Sequence, residues 1–311
     1  MKLYRLANRA AFTLVELLVV IAIIGVFAAM TIPAVQAMRE RSRTVSCQYN
    51  LMQIVLAVHN YEARHGMFPA GTISKEAGPV LNSPQGLHYS WITRLLPYMD
   101  QQAVERHFDR TASVYDRANL PARLVEIKLL KCPSECFSTG PYSNYAACHH
   151  DVEAAIDEKQ NGAFVLNVSR RSDDISDGLG YTLFLGEKLN DAWDLGWMSG
   201  TRATLRNTGA MVNTITMLQE RQGPGRFQRP TGSLDTLPSE FDPFPIGEFK
   251  PTGFPGSSAA VGGFASQHVA ITHFAFGDGS IRRLWRDIDP VAYQQMGHCR
   301  DGKLPPDLSR Y

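Results

Sequence analysis

From Leu17 to Met38 the chain runs 22 positions without a charged residue, and only afterwards do its apolar positions become periodic. As a helix, roughly 20 such residues cross the ~30 Å of a bilayer core, so the run predicts a membrane span. Beyond it, Leu51, Ile54, Val55, Val58 and Tyr61 recur at helical spacing, while Gln48, Gln53, Asn60 and Arg64 fall on the other side. The pattern predicts one helix, apolar all round at first and then apolar on a single stripe. His65-Gly66, with Pro69 three residues on, predicts its stop. Pro33 removes one backbone bond inside it and predicts a kink. From Phe12 to His65 such a helix measures ~81 Å at 1.5 Å per residue, a long handle whose amphipathic end asks for a domain to lie on.

The remainder reads as globular sequence. Residues 70–90 are rich in Gly, Pro and Ser and predict loop. Positions 91–108 predict a helix broken or kinked at Pro97, and 163–168, 181–187 and 193–198 predict short strands. Between 222 and 263 there are 7 Pro and 8 Gly, too many for a helix or a central strand, so an irregular insertion is expected. Near the C-terminus, 270–276 and 280–285 flank Asp278-Gly279, the favoured pair of a two-residue hairpin turn. With that turn, Phe274, Phe276, Ile281 and Trp285 share one face, expected to pack inward against the amphipathic helix. The expected class is α+β: a long N-terminal helix packed on a mostly antiparallel sheet.

Charge narrows the reading. Lys and Arg number 31 against 30 Asp and Glu, and no basic patch stands outside the first 43 residues, so no nucleic-acid partner is expected. Lys2, Arg5 and Arg9 precede the apolar run and Arg39, Arg41 and Arg43 follow it, a tie that leaves orientation undecided. A cleaved signal peptide has a shorter apolar core than this one, and neither it nor a plain anchor accounts for Glu16, an acid at the start of the apolar helix. A carboxylate there needs a cation. Cleavage between Ala11 and Phe12 supplies one, an α-ammonium on Phe12 about one helical turn away.

The string Ala11-Phe12-Thr13-Leu14-Val15-Glu16-Leu17 resembles the prepilin-type cleavage and methylation motif of type IV pilins and type II secretion pseudopilins. The resemblance implies that prepilin peptidase cuts after Ala11, where Gly is usual, that Phe12 is N-methylated, and that Glu16 guides assembly. It also implies an orientation: a cytoplasmic leader of residues 1–11, a transmembrane half-helix of 12–38, an amphipathic half-helix of 39–66, and an exported domain of 67–311. In pilins a proline at the offset of Pro33 marks a melted or bent section. Residues 60–69 are similar to the end of the first helix in G-type pseudopilins.

His268 followed after nine residues by Asp278-Gly279 matches the H-x9-D-G element of a large bacterial family of unknown function that begins with such a leader. The likeness extends through Cys47-Gln48-Tyr49-Asn50-Leu51, Ser90-Trp91, Cys132-Pro133-Ser134, Asp174-Ile175-Ser176-Asp177-Gly178 and Leu185-Gly186-Glu187. This likeness implies a pseudopilin-like structural subunit at the inner membrane, its domain in the periplasm or outside, with prepilin peptidase, other pseudopilin subunits and membrane lipid as partners. The alternative is a single-pass exported binding protein that uses the leader only for targeting.

Catalytic chemistry finds little support. Across a hairpin, His268 and Asp278 stand roughly 20–30 Å apart, too far for a dyad; no G-x-S-x-G, H-E-x-x-H or Walker loop occurs, and no enzyme is expected. Cys132, Cys136, Cys148, His149 and His150 could hold zinc in principle, but their spacing is not that of a zinc knuckle. An exported domain favours disulfides. The family resemblance implies Cys47 with Cys132; Cys136 with Cys148 is a second expected pairing, which leaves Cys299 spare. No cofactor is required; Asp173, Asp174 and Asp177 before Gly178 are weak calcium candidates by analogy with G-type pseudopilins, although a turn role is commoner.

Overall fold

The computed structural model describes residues 13–76, 78–135, 140–190, 194–213, 259–268 and 270–303. Most of the expected insertion at 222–263, together with Ala11, Phe12 and Cys136, lies outside them. The chain divides into two units, Met1–Val45 and Ser46–Tyr311.

Helix α1 runs from Leu14 to His65. It passes Pro33 without a break, so the helix is not melted there. Proline has no N–H, which leaves the Ala29 carbonyl without its helical donor. One turn earlier, the Thr31 hydroxyl donates to the Phe27 carbonyl at 2.9 Å and the Ala28 carbonyl at 3.3 Å. In the first unit, the apolar side chains from Leu14 to Met38 are largely exposed, including Leu14, Ile24, Phe27 and Met30. Gly66, at a φ of +70°, closes the helix with its N–H on the Glu62 carbonyl at 2.7 Å.

In the second unit, α1 buries Cys47, Leu51, Ile54, Val55, Ala57 and Val58. Fully burying a Leu, Ile or Val side chain contributes about 1.5–3 kcal/mol, so packing, more than propensity, fixes this stretch. A small ribbon pairs β1 (Thr72–Ile73) with β2 (Tyr89–Ser90). Over 91–108, the expected break at Pro97 separates α2 (Ile92–Leu95) from α3 (Gln102–Glu105), with a 3-10 turn, Leu96–Met99, between them. A further short helix, α4, covers Leu120–Arg123.

The main sheet comprises β3 (Tyr145–His150), β4 (Leu183–Glu187), β5 (Leu205–Asn207), β6 (Ile271–Phe276) and β7 (Ile281–Trp285). Its order is β5-β3-β4-β6-β7, antiparallel except where β5 joins β3. One core gathers the α1 stripe with Trp91, Tyr145, Phe164, Phe184, Leu185, Trp197 and Ala275. A second gathers Leu183, Phe264, Phe274, Phe276 and Leu284 with Tyr293 and Met296 of α5 (Pro290–Gly297). Gly186 permits this second core to close: a Cβ there would lie 2.6 Å from ring carbons of both Phe264 and Phe274.

Three sequence expectations fail. The segment 163–168 is no strand; it makes a single bridge, Leu166 to Thr72, and is threaded through the core by hydrogen bonds from Phe164 N–H to Cys148 O and Gly71 N–H to Val165 O. The described part of 193–198 is a buried loop, with Trp197 N–H on the Pro141 carbonyl. In both, apolar residues serve burial and not strand pairing.

The third is the hairpin. Its loop has three residues, Gly277, Asp278 and Gly279: the Gly279 N–H returns to Phe276 O, Phe276 N–H reaches Ser280 O, and Gly279 takes a φ of +83°. One residue more than a two-residue turn exchanges the faces of β7 against β6. Phe274 now opposes Arg282, and Ala275 opposes Ile281. Phe274 and Phe276 therefore enter the second core with Leu284, away from the α1 stripe, and Trp285 is 49% exposed.

Candidate functional site

The first described residues form a helix cap. Thr13 precedes α1, and Glu16 is its third residue. The Thr13 N–H and hydroxyl both donate to Glu16 Oε2, at 2.9 and 2.8 Å, while Glu16 N–H donates to Thr13 Oγ1 at 3.3 Å. This is a reciprocal capping box, satisfying donors that a helix start leaves unpaired. The sequence carries its signature, T-x-x-E, so Glu16 has a local partner besides any ammonium on Phe12.

A second constellation lies in the globular unit. Cys47 on α1 is disulfide-bonded to Cys132, with Cα atoms 5.3 Å apart. That is the pair the resemblance implied. Their backbones are held independently of the bond: the Tyr145 hydroxyl donates to Cys47 O at 3.2 Å, Cys132 N–H donates to Asn144 Oδ1 at 2.9 Å, and Asn50 Nδ2 donates to Lys131 O at 2.8 Å.

Against this bridge lies Glu187, the last residue of β4. Its Oε1 is 3.0 Å from His273 Nδ1 and 3.5 Å from His268 Nε2, and its Oε2 accepts the His273 backbone N–H at 2.9 Å. His268 Nε2 is also 3.8 Å from Cys132 Sγ, and the two imidazoles meet edge to face at 5.2 Å. All three polar side chains are at most 3% exposed. Burial alone would push the Glu187 carboxyl up; hydrogen bonds and charge from His268 and His273 outweigh it and hold the group down at about 2.

Of the sequence candidates, His268 thus meets Glu187, a residue 81 positions earlier, while Asp278 stays in its turn and accepts from Ser280 N–H and Oγ at 2.9 and 2.6 Å. Asp174 caps a 3-10 turn by accepting Arg171 N–H at 2.7 Å, Asp173 is exposed, and Asp177 accepts the Asp301 and Gly302 N–H groups at 2.8 Å each. Among the described residues, Asp177 is grouped with His298 and Asp301, not with Asp173 and Asp174. Cys148 and Cys299 carry free buried thiols. Burial pushes both up in pKa. Cys148 is thus unbridged, contrary to expectation, and Cys136 itself lies outside the described residues. His149 is fully buried on Gln160 Oε1 at 2.6 Å. Sequence reasoning noted Glu187 only as part of the Leu185-Gly186-Glu187 likeness, gave it no role, and missed His273, because no spacing signal links either to His268 or to the cysteines.

A family described as "Protein of unknown function (DUF1559)" matches residues 36–291, and a second, "Prokaryotic N-terminal methylation motif", matches residues 6–32. No curated protein and no solved structure matches the chain.

Proposed function

We propose, since this chain belongs to the DUF1559 family and carries the prokaryotic N-terminal methylation motif, that it is a pseudopilin-like structural subunit. Prepilin peptidase removes residues 1–11, Phe12 becomes the methylated N-terminus, and the apolar half of α1 packs the subunit into a type II secretion or type IV pilus-like assembly. The leader faces the cytoplasm, α1 crosses the inner membrane, and the domain is displayed in the periplasm or beyond. No catalysis is assigned to it.

The observation that carries this reading is an acid at the head of an uninterrupted apolar helix whose side chains, from Leu14 onward, are exposed within their own unit. A soluble fold leaves no such surface uncovered; lipid and neighbouring α1 helices would cover it. An intramembrane acid is costly, by ~2.5–3.5 kcal/mol at a helix centre and less near the interface, and is functional by default.

Glu16→Ala separates the two uses of the leader. A subunit that needs the carboxylate to dock onto its neighbours keeps membrane insertion but disappears from cross-linked or sheared assemblies. Undiminished assembly would instead favour an exported binding protein that uses the leader for targeting alone. Loss of insertion would contradict the placement of Glu16 at the lipid edge.

A further inference from the structure

We propose that Cys47, Cys132, His268 and Glu187 form a redox-gated site for a thiophilic divalent cation of the zinc class, closed while the disulfide stands and open once it is reduced. The four donor atoms lie within 4.8 Å of one another and are all buried. They come from four places in the chain: α1, the segment after α4, the end of β4, and the residues ahead of β6.

The spacing suits a tetrahedron. With metal bonds of about 2.0 Å to N or O and 2.3 Å to S, ligand atoms stand about 3.3–3.8 Å apart. His268 Nε2 already sits 3.5 Å from Glu187 Oε1 and 3.8 Å from Cys132 Sγ. Only the two sulfurs must move, from about 2 Å apart in a disulfide to about 3.7 Å as thiolates on one ion. The backbone anchors of Cys47 and Cys132 do not depend on the S–S bond, so a rotation of either side chain supplies that motion. Two thiolates, an imidazole and a carboxylate are a zinc-type donor set, with no hard-oxygen majority to suit calcium or magnesium.

The outer partners are also present. His273 donates through Nδ1 and its backbone N–H to the two oxygens of Glu187, and Ser266 Oγ accepts the His268 backbone N–H at 3.2 Å. The His273 bonds orient the Glu187 carboxylate and tune its basicity, and the Ser266 bond fixes the His268 backbone. The chemistry balances: an external dithiol or phosphine delivers two electrons, the Cys47–Cys132 bond breaks, the sulfurs take up two protons, and the reductant is oxidised. Metal entry then releases those protons. With a metal bound, the four ligands would tie α1 to the segment after α4, to the end of β4 and to the residues ahead of β6. This site stands or falls independently of the subunit reading.

The test uses the full chain in detergent micelles, reduced with a phosphine, with Co²⁺ as the probe. The expected result is one tetrahedral Co²⁺ per chain, with a near-ultraviolet thiolate-to-cobalt band that Zn²⁺ displaces, and no such band in the oxidised chain. A background with Cys136, Cys148 and Cys299 changed to Ser keeps the band. His273→Phe, which removes an outer partner but no ligand, weakens affinity about 10- to 100-fold. The proposal is overturned if the reduced chain, still folded by circular dichroism, gives no thiolate band, if Cys132→Ser leaves the band intact, or if the oxidised chain binds equally well.

Discussion

At the scale of single residues, His149 shows what burial does to an ionisable group. The Gln160 amide donates to Ala155 O, so its oxygen is the acceptor and His149 Nδ1 carries the proton. Nε2 is buried without a partner. Burial, reinforced by the nearby charges of His150 and Arg206 and opposed by the Gln160 hydrogen bond, brings the imidazole down to about 4. The folded chain therefore refuses a proton that the unfolded chain accepts at the ordinary 6.5. The stability carried by His149 is whole above pH 6.5 and is lost as pH falls toward 4, by about 3 kcal/mol across that window. Urea midpoints at pH 7.5 and pH 4 measure it: the wild type should lose about 3 kcal/mol more than His149→Gln, and equal losses would contradict a buried neutral imidazole. Cys148-His149-His150 reads from sequence as a run of metal donors. It is a central strand that buries its imidazole as a core group, a distinction that depends on tertiary burial and leaves no mark on spacing.

Among the elements, the amphipathic stretch of α1 was the most legible, because Leu51, Ile54, Val55 and Val58 keep a 3.6-residue period over several turns. Strand β3 was not: its Tyr-Ala-Ala-Cys-His-His is buried on both faces, so no alternation marks it. Helix α5 was not expected, although Asp289 at the N-cap with Pro290 behind it was an available signal; Asp289 Oδ1 accepts Val291 and Ala292 N–H at 2.9 Å each. The hairpin was located correctly but given the wrong register, because Gly277 joins the loop and Asp278-Gly279 alone does not reveal it. The register has a direct consequence for stability. Leu284→Ala opens the second core and should cost about 2–5 kcal/mol, whereas Trp285→Ala, on the half-exposed side, should change stability by no more than about 0.5 kcal/mol. Chemical unfolding of the two variants decides it; the reverse ranking would mean that the two-residue turn is the true one.

For the whole molecule, the leader and the apolar run were readable from residue order alone, since both are local signals. The Glu187 centre was not, because its members are brought together by β4, β6 and α1 across most of the chain. The two kinds of site differ in purpose as well as legibility. The buried centre lies where the disulfide ties α1 to the segment after α4, while in the proposed reading the N-terminal motif governs how one chain meets the next. The subunit reading rests on the second, and on a positive amine created by proteolysis beside Glu16. The most direct measurement is the intact mass and N-terminal sequence of the protein recovered from membranes. The account predicts a chain beginning at N-methylated Phe12; a chain that still begins at Met1, or one that begins after Ala28, would contradict it.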